Sequence, residues 1–188
     1  YHCAGGVDMD VDFRRELLIA AVEVIRKVRP DVVITLAPQD YHTDHEETSR
    51  LVRAACFYAP IPNFSAAFGY ASDDEPPGPI DRVPHLYYTD SRIDILGRAL
   101  PVQYYVDITS VIETKGRMIA RHESQAAWLA SHHGTDGLIK SMRRRGAASG
   151  EKAGCDYAEG LHQHLGAGYP HSDVIGEALA EYVRRPTE

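Results

Sequence analysis

The sequence predicts an α/β fold with a mostly parallel sheet flanked by helices. In the first half, an amphipathic segment over residues 13–29 is followed at once by a β-branched run over 31–36, which is half of a βαβ unit. In the second half, a strand-like run over 102–108 again leads into a helix-like run over 110–119. These alternating patterns predict a single α/β domain over residues 1–188.

The first helix is predicted over residues 13–29, with Asp12 as its N-cap and Pro30 as its end. Its apolar side chains recur at intervals of three and four residues, which predicts one buried face; they are Leu18, Ala21, Val22, Ile25 and Val28. The run over 31–36 that follows does not alternate between polar and apolar residues. It therefore predicts a strand that is covered on both faces.

A second helix is predicted to start near His45, because Thr43 and Glu46 have the spacing of a capping box. The helix should end before Pro60. Residues 63–84 are rich in Gly, Pro and Asp, so a long surface loop is expected there.

Two more strands are predicted over residues 85–89 and 102–108, both rich in Tyr and aliphatic residues. Ser110 and Glu113 again have capping-box spacing and predict a helix after the second strand.

The remaining C-terminal segment is predicted to contain a loop and a helix. Residues 134–154 include five glycines among small and basic residues, which indicates a mobile loop. Ser172 is expected to cap a last amphipathic helix that extends to Val183.

Composition narrows the function classes. The chain has 188 residues, 44% of them apolar, and a formal net charge of −7, which argues against a broad nucleic-acid-binding surface. Its three cysteines are widely separated, so a disulfide framework is not expected. Because no apolar stretch approaches about 18 residues, no membrane span is expected. These features predict a cytoplasmic protein and leave its oligomeric state open.

The segment most capable of chemistry is Pro38–His45, just beyond the C-terminal end of the first predicted strand. Ligands of open α/β sheets bind at that edge. His42 and His45 are three residues apart and can approach a common point, and Asp44 lies between them. A ligating or proton-transferring histidine commonly has a carboxylate partner. These residues therefore predict a metal site or an acid–base site, although histidine pairs also occur on solvated helix starts.

Several motifs resemble those of the PIG-L/LmbE-like de-N-acetylases. The P-D-V-V strand at 30–33 followed by H-T-D-H at 42–45 resembles the second motif of that family, which is H-x-D-H. Later stretches resemble its D-I-T, E-x-K, H-x-S-Q and Y-A-E motifs in the same order; they are Asp107-Ile108-Thr109, Glu113-Thr114-Lys115, His122-Glu123-Ser124-Gln125 and Tyr157-Ala158-Glu159.

The resemblance implies a Rossmann-like, mostly parallel sheet that is incomplete at the N-terminus. It also implies a metal-dependent hydrolase that removes the acetyl group of an N-acetylglucosamine-type sugar. It implies one divalent ion, Zn²⁺ or another such as Fe²⁺, with His45 as a ligand. His42, as an imidazolium, would stabilise the oxyanion or protonate the leaving amine, and Asp44 would orient His42. The H-x-S-Q match favours His122 as a weak substrate-side candidate, while the apolar stripe beside it favours a packing role equally.

One motif of the family is missing. The sequence contains no A-H-P-D-D, which in that family supplies two metal ligands and the general base. We therefore expect the chain to be the C-terminal part of a longer enzyme and to turn over little substrate alone. Asp8 and Asp10 are expected to lie in a solvated loop.

Two other functions stay open at this point. A catalytically silent carbohydrate-binding or interaction domain would also tolerate the loss of the A-H-P-D-D motif. A Rossmann oxidoreductase has less support, because no G-x-G-x-x-G follows a predicted strand.

Overall fold

The computed structural model describes residues 1–66, 77–90, 96–98, 102–125, 127 and 137–186. The helices and strands in this part of the chain are α1 Arg15–Val28, β1 Val32–Thr35, α2 Thr43–Tyr58, α3 Asn63–Ala66, β2 His85–Thr89, β3 Tyr104–Asp107, α4 Ile112–Ile119, α5 Leu138–Ala153, β4 Ala158–Gln163, α6 Val174–Ala178 and β5 Val183–Arg184. The predicted α/β class is confirmed.

The chain divides into two compact units. The first comprises Tyr1–Pro101 and His162–Val174, and the second comprises Val102–Leu161 and Ile175–Glu188. Strand β4 contributes residues to both units. The single domain expected over residues 1–188 stays a prediction.

Strand order in the sheet is β1-β2-β4-β3-β5. Strands β1 and β2 are parallel, with Val32 opposite His85. Strand β3 is antiparallel to both β4 and β5. The sheet is therefore mixed, and the expected parallel arrangement applies to the β1–β2 pair.

In the first unit, the core lies where α1 and α2 pack against the sheet. Its buried members include Leu18 and Val22 of α1, Leu51 and Ala55 of α2, and Leu86 of β2. The apolar periodicity of the first helix predicted this face correctly.

Strand β1 is not covered on both faces as predicted. Val33 packs against the core, but Ile34 points the other way and its side chain is 53% exposed. Helices α1 and α2 pack against the face that carries Val33, and β1 lies at one end of the strand order. A β-branched run without alternation therefore did not indicate a strand buried on both sides.

The predicted caps of the first two helices were wrong in detail. Helix α1 begins at Arg15, with Arg14 as its N-cap, and the Asp12 carboxylate binds the Arg14 side chain instead of capping the helix. Helix α2 has His42 as its N-cap. The Glu46 carboxylate accepts the N–H of Asp40 at 2.9 Å, so the predicted capping box does not form.

The glycine-rich stretch predicted as a mobile loop forms helix α5 over its described residues. Gly146 and Gly150 are buried in this helix. A Cβ atom on Gly150 would lie 2.5 Å from the carbonyl oxygen of Cys155, which is closer than real Cβ atoms approach. These glycines thus permit close packing inside a helix and do not indicate mobility.

Other C-terminal predictions hold only in part. The strand predicted over 85–89 is β2, and the strand predicted over 102–108 contains β3. The last helix, α6, ends at Ala178, and the chain then pairs as β5 with β3 through Val183 and Val106.

Two further predicted caps do not form. The hydroxyl of Ser172 binds His85 Nε2 at 2.7 Å and does not cap α6. Val111 is the N-cap of α4, without a side-chain cap bond, and Glu113 binds Arg143.

The long loop predicted over 63–84 is described only in part. It begins with α3 and ends with the segment before β2, in which Ile80 is buried and donates its N–H to Ala59. Residues 67–76 lie outside the described part of the chain. Among the described helices, none has the length and apolarity to cross a bilayer.

Candidate metal and catalytic site

The candidate site lies in the first unit, where β1 leads into α2. Only residues 36–42 separate Thr35, the last residue of the strand, from the first turn of the helix. This is the carboxyl edge of the parallel β1–β2 pair, as the sequence predicted. The H-T-D-H segment forms the N-cap and the first turn of α2.

The structure brings His42 and His45 together. Their rings stack with centroids 4.9 Å apart and planes inclined by 21°. Tyr41 meets both rings edge-on, at centroid distances of 5.9 Å and 5.6 Å. Its own side chain is 91% exposed, so an aromatic ring borders the two imidazoles on the surface.

The imidazole of His42 is held by the start of α2. Its Nδ1 accepts the backbone N–H of Asp44 at 3.2 Å. Accepting this hydrogen requires a lone pair on Nδ1, so the ring is neutral and carries its proton on Nε2. In this arrangement His42 has Nε2 free to donate a hydrogen, and its expected role as an imidazolium in the reaction stays a prediction.

The imidazole of His45 has the opposite arrangement. Its Nδ1 lies 3.0 Å from Oδ1 of Asp40, an ionisable partner whose side chain is only 17% exposed. A carboxylate accepts a hydrogen here, so Nδ1 carries a proton, and in the neutral ring Nε2 keeps its lone pair. That is the tautomer in which histidine ligates a metal through Nε2.

Asp44 contacts the N-terminal segment with its carboxylate. Oδ2 of Asp44 accepts the N–H of Met9 at 2.6 Å. Met9 has a φ of 65°, an uncommon conformation for a residue other than glycine. The turn around Met9 is closed by a bond from Asp10 N–H to the carbonyl of Val7. Asp44 thus holds His42 through its backbone and the segment before α1 through its side chain.

Asp8 was missed as a site residue. Among the described residues, Asp8, His42 and Asp44 form a group whose ligand atoms all lie within 4.8 Å of one another. Sequence reasoning placed Asp8 in a solvated loop, and its side chain is indeed exposed. No spacing rule could connect it to His42 and Asp44, which lie 34 and 36 positions away.

The donor atoms fit a divalent transition metal. Zinc binds imidazole nitrogen and carboxylate oxygen at roughly 2.0–2.2 Å, so two ligand atoms of one ion lie at most about 4.4 Å apart. The carboxylates of Asp8 and Asp44 need only a small closure to reach that spacing, and an exposed Asp8 allows it. His42 lies within the same 4.8 Å group, but its Nδ1 lone pair already accepts the N–H of Asp44. His45 is outside this group, yet it is the ring whose Nε2 lone pair is prepared by a carboxylate partner.

The other candidate residues do not join this site in the described structure. His122 is exposed just after α4, in the second unit, and donates its N–H to Ile119; a substrate-side role for it stays a prediction. Cys56 is fully buried, and burial raises the pKa of its thiol to about 12. A thiol with that pKa is not a nucleophile near neutral pH.

A known protein family matches the segment that contains the candidate site. Residues 5–56 match the family described as PIG-L: GlcNAc-PI de-N-acetylase. The diacetylchitobiose deacetylase of Thermococcus kodakarensis is 34% identical over 121 residues, which cover 63% of this chain and 40% of that protein. The chain thus spans about two fifths of the length of this curated relative.

Similar solved structures support the fold. A conserved protein from Thermus thermophilus matches with a TM-score of 0.62 and 20% identity, over 90% of this chain and 67% of that chain. The N,N'-diacetylchitobiose deacetylase of Pyrococcus horikoshii, in complex with an inhibitor, matches with a TM-score of 0.64 and 23% identity, over 90% and 60%.

The same fold also occurs in a protein with a different reaction. GalB, the 4-carboxy-2-hydroxymuconate hydratase from Pseudomonas putida, matches with a TM-score of 0.55 and 22% identity, over 82% of this chain and 60% of that chain. Because a deacetylase and a hydratase share this scaffold, the fold alone does not select the chemistry.

Proposed function

We propose that this chain, a relative of the PIG-L/LmbE-like de-N-acetylases, carries part of the active site of a metal-dependent de-N-acetylase. The proposed reaction removes the acetyl group from an N-acetylglucosamine-type sugar or from a conjugate of one. The observation that carries the proposal is the stacked pair of His42 and His45, 4.9 Å apart, inside the segment that matches the family.

The substrate class is supported by two observations. The matched family is described by an N-acetylglucosamine conjugate, and the curated relative is a diacetylchitobiose deacetylase. On this chain, the exposed ring of Tyr41 borders both imidazoles. An aromatic ring in that place offers an apolar face to a sugar next to the reacting amide.

His45 is the proposed metal ligand, through the Nε2 lone pair that its contact with Asp40 leaves free. Zn²⁺ or Fe²⁺ fits the nitrogen and oxygen donors present. A bound ion would supply an acidic water and would polarise the acetamide carbonyl. Asp8 and Asp44 are the carboxylates whose oxygens lie within 4.8 Å of each other and of a ring nitrogen of His42.

His42 and Asp44 are the proposed catalytic residues. Hydrolysis adds a hydroxyl group to the acetyl carbonyl carbon, breaks the C–N bond and releases acetate and a free amine. The Nε2–H of His42 would donate a hydrogen bond to the developing oxyanion. As an imidazolium, His42 would instead pass a proton to the departing nitrogen, and the proton that the attacking water loses would restore it. Asp44 holds the His42 ring through its backbone N–H, which fixes the direction of that donor.

The proposal is tested with acetate release from N,N'-diacetylchitobiose by the full-length protein, and with its zinc content. His45→Ala should lose the metal and the activity together. His171→Ala, which alters an exposed histidine in the connection before α6, should keep both and is the matched control. Equal zinc occupancy in His45→Ala and wild type would contradict the ligand assignment.

The second candidate function is a silent carbohydrate-binding or interaction domain. Such a domain would tolerate the absence of an A-H-P-D-D motif from this sequence. The same assay separates the two functions. Saturable binding of the disaccharide with no acetate release, with or without added zinc, would support the binding domain and contradict the enzyme.

A further inference from the structure

We infer that Asp40 is a positioning residue for the proposed metal site. Its carboxylate holds His45 in the tautomer whose Nε2 lone pair faces outward to a divalent ion. The inference rests on the proposed function for the role of the metal. The tautomer itself is a property of the chain alone.

Asp40 makes hydrogen-bond contacts with three residues of the loop and of α2. Oδ1 lies 3.0 Å from Nδ1 of His45 and also accepts the backbone N–H of His42 at 3.0 Å. The N–H of Asp40 donates to Oε1 of Glu46 at 2.9 Å. These contacts fix the carboxylate between the loop after β1 and the first turns of α2. Its side chain is 17% exposed, so water competes little for it.

A neutral imidazole can carry its proton on either nitrogen, and the hydrogen-bond partner of one nitrogen decides what the other can do. Backbone donation from Asp44 gives His42 an Nε2–H. Donation to Asp40 leaves Nε2 of a neutral His45 with its lone pair. The Nε2 atoms of the two stacked rings therefore differ in chemistry. That of His42 is a hydrogen donor, and that of His45 is a proposed metal ligand. Asp40 is the residue that makes them different.

A merely structural role for Asp40 would have different consequences. Its bond to the His42 N–H shapes the turn that enters α2, and loss of that bond alone would alter the loop. Glu46→Ala provides the control, because it removes the Asp40 N–H bond and loosens the same loop without touching His45. Asp40→Asn is the second variant, since its amide oxygen can still accept from both donors.

The first measurement uses the metal-free full-length protein and nitrogen NMR of the imidazoles, with His45 assigned from His45→Gln. Wild type should show the Nδ1–H tautomer at His45. Asp40→Asn should retain it, and Asp40→Ala should shift the ring toward a mixture of tautomers. A wild-type His45 that carries its proton on Nε2 would overturn the inference.

The second measurement is zinc affinity by competition with a chromophoric chelator. Asp40→Ala should weaken zinc binding about 10–100-fold, as loss of such a carboxylate partner does in metal sites. Glu46→Ala should change it less than about threefold. Equal affinities of wild type and a folded Asp40→Ala would refute the positioning role and leave the proposed function intact. Wild type without zinc affinity would refute the proposed function, and the NMR result would still decide what Asp40 does to His45.

Discussion

His42 caps helix α2 by accepting the backbone N–H of Asp44 on its Nδ1, at 3.2 Å. The same ring is the proposed hydrogen donor of the reaction through Nε2. The helix cap therefore uses Nδ1 of the imidazole, and the proposed reaction uses Nε2 of the same ring. A substitution that keeps the cap and removes Nε2–H can separate the two roles.

His42→Asn should keep the stability of the protein and lose its activity. Asn is among the best N-caps, and loss of an N-cap side chain costs about 1 kcal/mol. We expect unfolding in urea to show a loss of about 1 kcal/mol for His42→Ala and less than about 0.5 kcal/mol for His42→Asn. Both should slow acetate release by about 100-fold or more, because the positioned donor is gone. Full turnover in His42→Asn would mean that His42 is only a cap.

Gly150→Ala should destabilise the second unit, although alanine is the better helix former. The added Cβ would meet the carbonyl oxygens of Cys155 and Asp156 at 2.5 Å and 2.6 Å. Overpacking of this kind costs about 1–3 kcal/mol. The measurement is the midpoint of urea unfolding.

Gly116→Ala is the matched control for the Gly150 variant. Gly116 is also a buried helical glycine, but its added Cβ would make an ordinary contact, 3.7 Å from Met142 Cε. Alanine in that place should leave stability unchanged or raise it by up to about 1 kcal/mol. Two variants with equal midpoints would show that the close approach at Gly150 relaxes freely.

The sequence was most informative where a pattern has a single structural solution. The stripe of apolar residues in α1 and the run over 85–89 gave the helix and the strand closely, because burial of one face requires that periodicity. Composition misled at α5. Glycine is read as a loop former, whereas Gly146 and Gly150 serve the close approach of residues 155–157, which no local pattern encodes.

Within the site, sequence reasoning found the residues of H-x-D-H and missed their partners. His42 and His45 share a motif, so their spacing predicted that the rings would meet. The contact of Asp40 could have been predicted from the sequence, because an Asp side chain commonly accepts the backbone N–H two residues later, here that of His42. Asp8 was not, since its approach depends on a turn with Met9 in the left-handed region and on the contact of Met9 with Asp44.

The folded protein should protect Cys56 from alkylation. Burial raises the pKa of this thiol to about 12, and its side chain is inaccessible, whereas Cys3 is exposed. We expect iodoacetamide at pH 7.5 to label Cys3 quickly and Cys56 only in urea. Mass spectrometry of the tryptic peptides measures both. Rapid labelling of Cys56 without denaturant would show that α2 opens readily from the core.

His164 should make the protein less stable at acid pH. Its Nδ1 lies 3.0 Å from the hydroxyl of Tyr88, and its ring packs edge-on against Tyr169. Burial, followed by the charges of Arg53 and His171, lowers the pKa of His164 below its ordinary value of 6.5. The unfolded chain therefore takes up a proton at a pH where the folded chain does not. The stabilisation is complete above about pH 6.5 and is lost as the pH falls toward the folded pKa.

His164→Gln removes this titration and keeps an acceptor for the Tyr88 hydroxyl. Each proton bound only by the unfolded state lowers the free energy of unfolding by up to about 1.4 kcal/mol for each pH unit of acidification. Urea unfolding between pH 7 and pH 5 should therefore show a shallower decline for His164→Gln than for wild type. His2→Gln, at an exposed terminal residue, is the control and should follow wild type. His162, whose pKa burial also lowers, should account for part of the slope that remains. An identical slope in His164→Gln and wild type would show that the Tyr88 contact does not keep His164 neutral in the folded protein.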